Sequence, residues 1–148
     1  MRIIVGSDHR GFHKKLLLQE VKEHRGEPIE WLDAGCFSAE RCDYPPVAQA
    51  VAKAVIDKRA DVGVLLCGSG VGVSIVANRF PGIYAALVWN QTTARLSKED
   101  DNANVIALPA DFISSEEAVG ILHAWLEATF KGGRYAKRLL MIDTMNLG

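Results

Sequence analysis

The stretch "ADVGVLLCGSGVGVSIVANRF", residues 60–80, decides the fold. Residues 62–66 are apolar on both faces, as in a strand buried inside a parallel sheet. The run then breaks into "CGSGVG", too rich in glycine to continue as a strand. Residues 71–78 read as a helix. Strand, glycine turn and helix together make one βα unit.

The same alternation extends in both directions. Upstream, residues 2–6 are an apolar run ending in glycine, residues 13–24 carry a helical stripe closed by Gly26, and residues 29–32 form a second strand. Residues 47–56 have a 3.6-residue apolar period, with Pro45 and Pro46 at their start. Downstream, residues 83–89 and 103–108 read as strands four and five, with a short helix over 92–98 between them. Ser114 and Glu117 cap a helix over 114–130, "KGGR" breaks the chain, and a last helix covers 135–145. The expected fold is α/β: a Rossmann-like three-layer sandwich with a five-stranded parallel sheet and a C-terminal helix, one domain over 1–148.

Composition narrows the function classes. The chain has 17 basic and 18 acidic residues, for a formal net charge of -1. No block of like charge invites nucleic acid or a membrane surface. No apolar run approaches the roughly 20 residues that cross a bilayer, and "MRIIVGSDH" does not read as a signal peptide. Cys36, Cys42 and Cys67 are odd in number and lack CxxC spacing. That argues against a disulfide framework or a zinc site and fits a reducing cytoplasm. Cys36 and Cys42 read as small loop residues, and His13, His24 and His123 lack the spacing of a metal site.

In parallel α/β sheets ligands sit at the carboxyl ends of the strands. Three stretches stand out. The first is "CGSGVG". Its glycines free the N–H groups of residues 68–72 to converge beside a helix start, where an anion or oxyanion is stabilised. The spacing is neither GxGxxG nor a GxxxxGK[ST] loop, and no lysine follows, which argues against a nucleoside triphosphate. Cys67 at its mouth is either a small buried residue or a thiol whose thiolate these donors favour. The second is "GSDHRGF", where Asp8 and His9 supply an acceptor and a titratable donor, or a helix cap and a surface residue. The third is "GGRYAKR", where Arg134 and Arg138 share a helical face and suit a phosphate, or simply a solvated basic end. Trp89 at a strand end is a further pocket candidate; Trp125 and Phe130 read as core or interface. Together the three stretches suggest a small anionic substrate, most simply a sugar phosphate.

"GSDHRGF", "SAERCDYP", "LLCGSGVGVSIVANRFPGI", "ARLSKEDDNANVIAL" and "AWLEATFKGGRYAKR" occur in order from end to end. In these the chain resembles the ribose-5-phosphate isomerase B family of sugar-phosphate isomerases. The resemblance implies a metal-free, cofactor-free homodimer or dimer of dimers whose active sites are shared between subunits. It implies aldose–ketose isomerisation, by default of ribose 5-phosphate to ribulose 5-phosphate. The implied base is Cys67, because the position six residues on, a glutamate in the family's other branch, is Val73. Gly68, Gly70, Val71 and Gly72 would stabilise the enediolate and Ser69 would add a hydroxyl. Asp8 would bind sugar hydroxyls, and His9, Arg134 and Arg138 would hold the phosphate. Tyr44 would line the site, with Asn78 just behind the loop.

The family segment "SREHNDANVLALG" reads "SKEDDNANVIALP" here. Asp100 replaces the histidine credited with ring opening, Asp101 replaces an asparagine, and Asp111 replaces a phosphate-holding arginine. All three carboxylates are expected in the region supplied by the partner subunit. Unpaired, each would repel a phosphate by about 4 kcal/mol at 4 Å. Three readings follow. Asp100 opens the ring as an acid/base. Alternatively the substrate needs no opening: a tetrose 4-phosphate cannot close a furanose, because its O4 carries the phosphate. In the third, the chain acts on another sugar, such as a hexose 6-phosphate, with a paralogue as partner, or binds without catalysis. A nucleotide-binding protein on the same architecture is a further rival, with Asp33 a partial mimic of its ribose-binding acid.

Overall fold

A computed structural model describes residues 1–147. Five strands form one parallel sheet: β1 (Arg2–Ser7), β4 (Glu30–Asp33), β5 (Val62–Cys67), β6 (Ala85–Leu87) and β7 (Val105–Pro109), in the order β4-β1-β5-β7-β6. Six helices accompany them: α1 (Phe12–Leu18), α2 (Tyr44–Ile56), α3 (Val71–Ala77), α4 (Gln91–Asp101), α5 (Ser115–Glu127) and α6 (Arg134–Asp143).

The central strands β1, β5 and β7 are almost continuously apolar and buried because both faces are covered, and alternation divides their side chains between two cores. Ile4, Leu65, Val105 and Ala107 pack with Val47, Val51, Val73 and Ala77 of α2 and α3. Ile3, Val5, Val64, Leu66, Ile106 and Leu108 pack with Leu18, Ala94, Ile121, Leu122 and Trp125 of α1, α4 and α5. This is the three-layer arrangement the sequence predicts. The sixth helix lies outside the two cores and buries chiefly Leu139.

Local chemistry sets the boundaries. Pro45 and Pro46 occupy the first turn of α2, where a missing N–H costs nothing, so the helix starts at Tyr44 rather than 47. Asn90 and Thr93 close a reciprocal capping box on α4. Ser114 Oγ accepts from Glu117 N–H at 3.0 Å on α5. The asparagines of "NAN" also have structural work: Asn102 ends α4 with φ 49°, and the Asn104 side chain bonds Tyr84 N–H and Gly82 O.

Three expectations are corrected. The helix expected over 13–24 stops at Leu18, and Glu23–His24 (β2) instead pairs antiparallel with Glu27–Pro28 (β3). Arg25 and Gly26, both at positive φ, form the tight turn between them, so Gly26 closes a hairpin and not a helix. The strand expected over 83–89 narrows to Ala85–Leu87. Cys36 and Cys42, read as unpaired loop residues in a chain without disulfides, are joined as a disulfide with their Cα atoms 6.4 Å apart. Five residues of intervening loop bring them together, which a rule based on CxxC spacing overlooks.

Candidate active site

The chain runs from β1 to β4 on one side, then crosses back to β5 on the other. The carboxyl ends of β1 and β5 therefore flank the point where the sheet reverses direction, where a crevice opens. Asp8 follows the first strand and Cys67 ends the second. They line a common open basin of about 580 Å³ with Tyr44, Gly68, Ser69, Val71 and Gly72. Three residues not singled out for the site share it: Arg10, Ile75 and Phe112, together with Asp111.

Cys67 is 5% exposed. Its sulfur accepts a hydrogen bond from Gly70 N–H at 3.1 Å. Gly70 can turn the chain back over the thiol because it adopts φ 75°, the left-handed region open to glycine. Ser69 Oγ accepts from Val71 N–H, which steadies the first turn of α3. The Tyr44 ring reaches the loop from α2, so close that a Cβ on Gly72 would lie 2.6 Å from Tyr44 Cζ. Asn78 holds the far end of α3 by bonding both N–H and C=O of Ala85.

Asp8 is buried, and its Oδ1 accepts from Arg10 N–H and Gly11 N–H. Both bonds use one oxygen; Oδ2 has no partner among the described residues. His9 lies beside this basin rather than in its lining. His9 Nδ1 faces the Cys42 backbone, 3.3 Å from its N–H and 3.4 Å from its carbonyl oxygen.

The remaining candidates are elsewhere. Asp100 Oδ1 accepts from Lys131 Nζ at 2.9 Å, and Glu99 is 3.5 Å from the same ammonium. The bond to Asp100 holds the Lys131 amine above its usual range. Arg134 and Arg138 both stack on the Tyr135 ring, with Lys131 on it as well. Asp101 lines a different cavity with Tyr84, Leu139 and Ile142. None of Asp100, Asp101, Arg134 and Arg138 lines the basin that holds Cys67. Asp111, expected with Asp100 and Asp101, belongs instead with Cys67: Asp111 N–H bonds Gly68 O at 3.0 Å, and its carboxylate pairs with Arg10. Cys67 and Pro109 are register partners in β5 and β7, so the turn after β7 must lie over the cysteine loop.

Several other side chains are accounted for by structure. Asp33, the mimic of a ribose-binding acid, accepts from fully buried Lys15 at 2.7 Å. Trp89 is exposed and outside the Cys67 basin. Trp125 is buried, its indole N–H on Ala103 O. His24 and His123, 99 residues apart, meet with their Nδ1 atoms at 2.8 Å, a pairing that spacing cannot reveal.

A three-layer α/β sandwich with a thiol and carboxylates at the switch point of its sheet defines a Rossmann-like protein with a polar small-molecule site. Comparison with known proteins narrows this further. Residues 3–142 match the family model described as Ribose/Galactose Isomerase. Ribose-5-phosphate isomerase B of Escherichia coli (strain K12) is 41% identical over 145 residues, covering 97% of this chain and 95% of its own. Among solved structures, ribose-5-phosphate isomerase B of Clostridium thermocellum superposes with a TM-score of 0.91 at 39% identity, over 97% of this chain and 95% of its own. The Mycoplasma genitalium ribose-5-phosphate isomerase B, solved with bound ribulose 5-phosphate, gives 0.87 at 36% identity, over 96% and 93%. The chain belongs to the ribose/galactose isomerase family, within its ribose-5-phosphate isomerase B group.

Proposed function

We propose that the protein interconverts an aldose phosphate and its ketose, by default ribose 5-phosphate and ribulose 5-phosphate, as a single isomerase domain with Cys67 as the base. The observation that carries this is the Cys67 sulfur at a strand end, bonded by Gly70 N–H and open to a basin lined by Asp8 and Ser69. The thiolate takes the C2 proton of the open-chain aldose. The C1 carbonyl becomes an enediolate oxygen, which N–H groups of the 68–72 loop stabilise. Cys67 returns the proton to C1, O2 gives up its proton as C2=O forms, and O1 gains one. Substrate and product differ only in where two hydrogens sit. Asp8 Oδ2 and Ser69 bind sugar hydroxyls, Tyr44 shapes the wall, and His9 presents its imidazole to the phosphate end.

The second group of residues completes the site from a neighbouring copy. Asp100, Asp101, Arg134 and Arg138 share no cavity with Cys67 in their own chain, while α6 exposes Leu140, Met141 and Ile142 for burial against a partner. The cytoplasm is the expected setting.

The test is solvent deuterium uptake at C2 of ribose 5-phosphate in wild type and Cys67→Ala. Wild type should exchange, and the variant should lose about 10²-fold or more. Near-full turnover by Cys67→Ala would refute the assignment. One observation favours a second reading. The Asp100 carboxylate is engaged by Lys131, so it is poorly placed to replace a ring-opening histidine. A substrate that stays open, such as a tetrose 4-phosphate, suits that arrangement. A panel of tetrose, pentose and hexose phosphates on wild type and Asp100→His separates the two: if tetrose phosphate is already the best substrate of wild type the open-chain reading stands, and a gain in Asp100→His confined to the cyclic sugars identifies ring opening as the missing function.

A further inference from the structure

The geometry points to Arg10 as the residue that anchors the substrate's phosphate from the Cys67 side of the site, with Asp111 as the residue that positions it. This rests on the isomerase reading and specifies which side chain of the basin meets the anion. Among the described residues, Arg10 is the only cationic side chain lining the basin that holds Cys67. It crosses the reactive loop at Gly68, where a Cβ would stand 2.9 Å from Arg10 Nε and 2.8 Å from Asp111 Oδ2. Glycine at this position lets the pair lie directly on the backbone.

Asp111 is a fixed point. Its N–H bonds Gly68 O, the preceding Ala110 N–H bonds Cys67 O at 2.9 Å, and Phe112 N–H bonds Pro109 O at 2.9 Å. These bonds lock the turn onto the cysteine loop. Arg10 is the more exposed member, with 59% of its side chain accessible against 33% for Asp111. Its Nη2 pairs with Asp111, its only side-chain partner among the described residues. A guanidinium carries five N–H donors in a rigid fork. One edge on Asp111 leaves other donors for the open basin, in a geometry that fits two phosphate oxygens. A carboxylate alone would repel the phosphate; neutralised by Arg10, it aims the fork.

The experiment measures KM, kcat and the inhibition constant for inorganic phosphate in wild type, Arg10→Ala, Arg10→Lys, Asp111→Asn, Arg10→Asp and the Arg10→Asp/Asp111→Arg exchange. Melting temperatures are recorded throughout. Calorimetric titration with inorganic phosphate runs in parallel and needs no turnover. Arg10→Ala should raise KM and the phosphate constants by about 10- to 100-fold, with a smaller fall in kcat, since a charge-assisted hydrogen bond is of that order. Arg10→Lys should recover part of the loss, because an ammonium lacks the fork. Asp111→Asn should raise KM by a smaller factor, and the exchange should outperform Arg10→Asp alone. Unchanged KM and phosphate constants in a folded Arg10→Ala would overturn the anchoring role. A lower KM in Asp111→Asn would overturn the positioning role and leave the carboxylate as simple repulsion. If wild type turns over no sugar phosphate, the isomerase reading fails, and the calorimetric arm still decides whether Arg10 holds an anion.

Discussion

At the level of single residues, the site depends on pairings the sequence does not display. "CGSGVG" and "GSDH" are legible because the chemistry and the local backbone coincide in a few adjacent positions. Arg10–Asp111, Lys15–Asp33, His24–His123 and the Cys36–Cys42 disulfide are not, because each depends on where separate segments meet. Lys15 gives the sharpest stability test. It is fully buried and bonded by Asp33 Oδ1 and Cys36 O. Asp33→Ala leaves an ammonium in the core without its counter-charge, so chemical denaturation should show a loss of about 3 kcal/mol or more. His24 provides a pH test. Burial, with His123 alongside, lowers its basicity below the usual 6.5. The unfolded chain then takes up the proton first as pH falls, so this contribution to stability is present above about 6.5 and is lost below it. Arg25 acts in the same direction, and burial outweighs the opposing pull of Glu127 and Glu27. His24→Gln should flatten the fall in melting temperature between pH 7.5 and pH 5.5.

At the level of elements, strand ends and helix periods were readable because they repeat locally, whereas the β2–β3 hairpin was hidden inside a helical stripe. The turn decided it: Arg25 and Gly26 at φ 51° and 81° favour a hairpin over another helical turn. The sixth helix is the element that carries Arg134 and Arg138, the proposed phosphate-binding residues. It rests on the rest of the molecule through buried Leu139 and through Tyr84, whose hydroxyl lies 2.6 Å from each Asp143 oxygen. That contact, then burial, pushes the phenol up to about 12. The unfolded phenol ionises first, near 10, so this contribution should hold below pH 10 and fade between 10 and 12. Tyr84→Phe should cost about 1 kcal/mol in denaturation. It should also raise KM for the sugar phosphate more than it lowers kcat, by loosening the helix that carries Arg134 and Arg138.

For the whole molecule, two partial sites in one chain make a strong prediction. If Cys67 works with Arg138 of a neighbouring copy, Cys67→Ala and Arg138→Ala are complementary defects. Each should be nearly inactive alone. After mixed refolding in equal amounts, half the dimers contain both variants, and each of those holds one intact site. About a quarter of wild-type activity should return. No recovery would place both residues in the same subunit's site. The way copies can meet is already limited by the sheet. Its two margins are β4, four residues bounded by Glu30 and Asp33, and β6, three residues long. Margins so short and, on one side, so charged give an incoming strand almost nothing to zip onto. Growth by strand addition, the usual route from a parallel sheet to a fibre, is closed off. Association between copies is then expected through helical faces, such as the one on which α6 exposes Leu140, Met141 and Ile142.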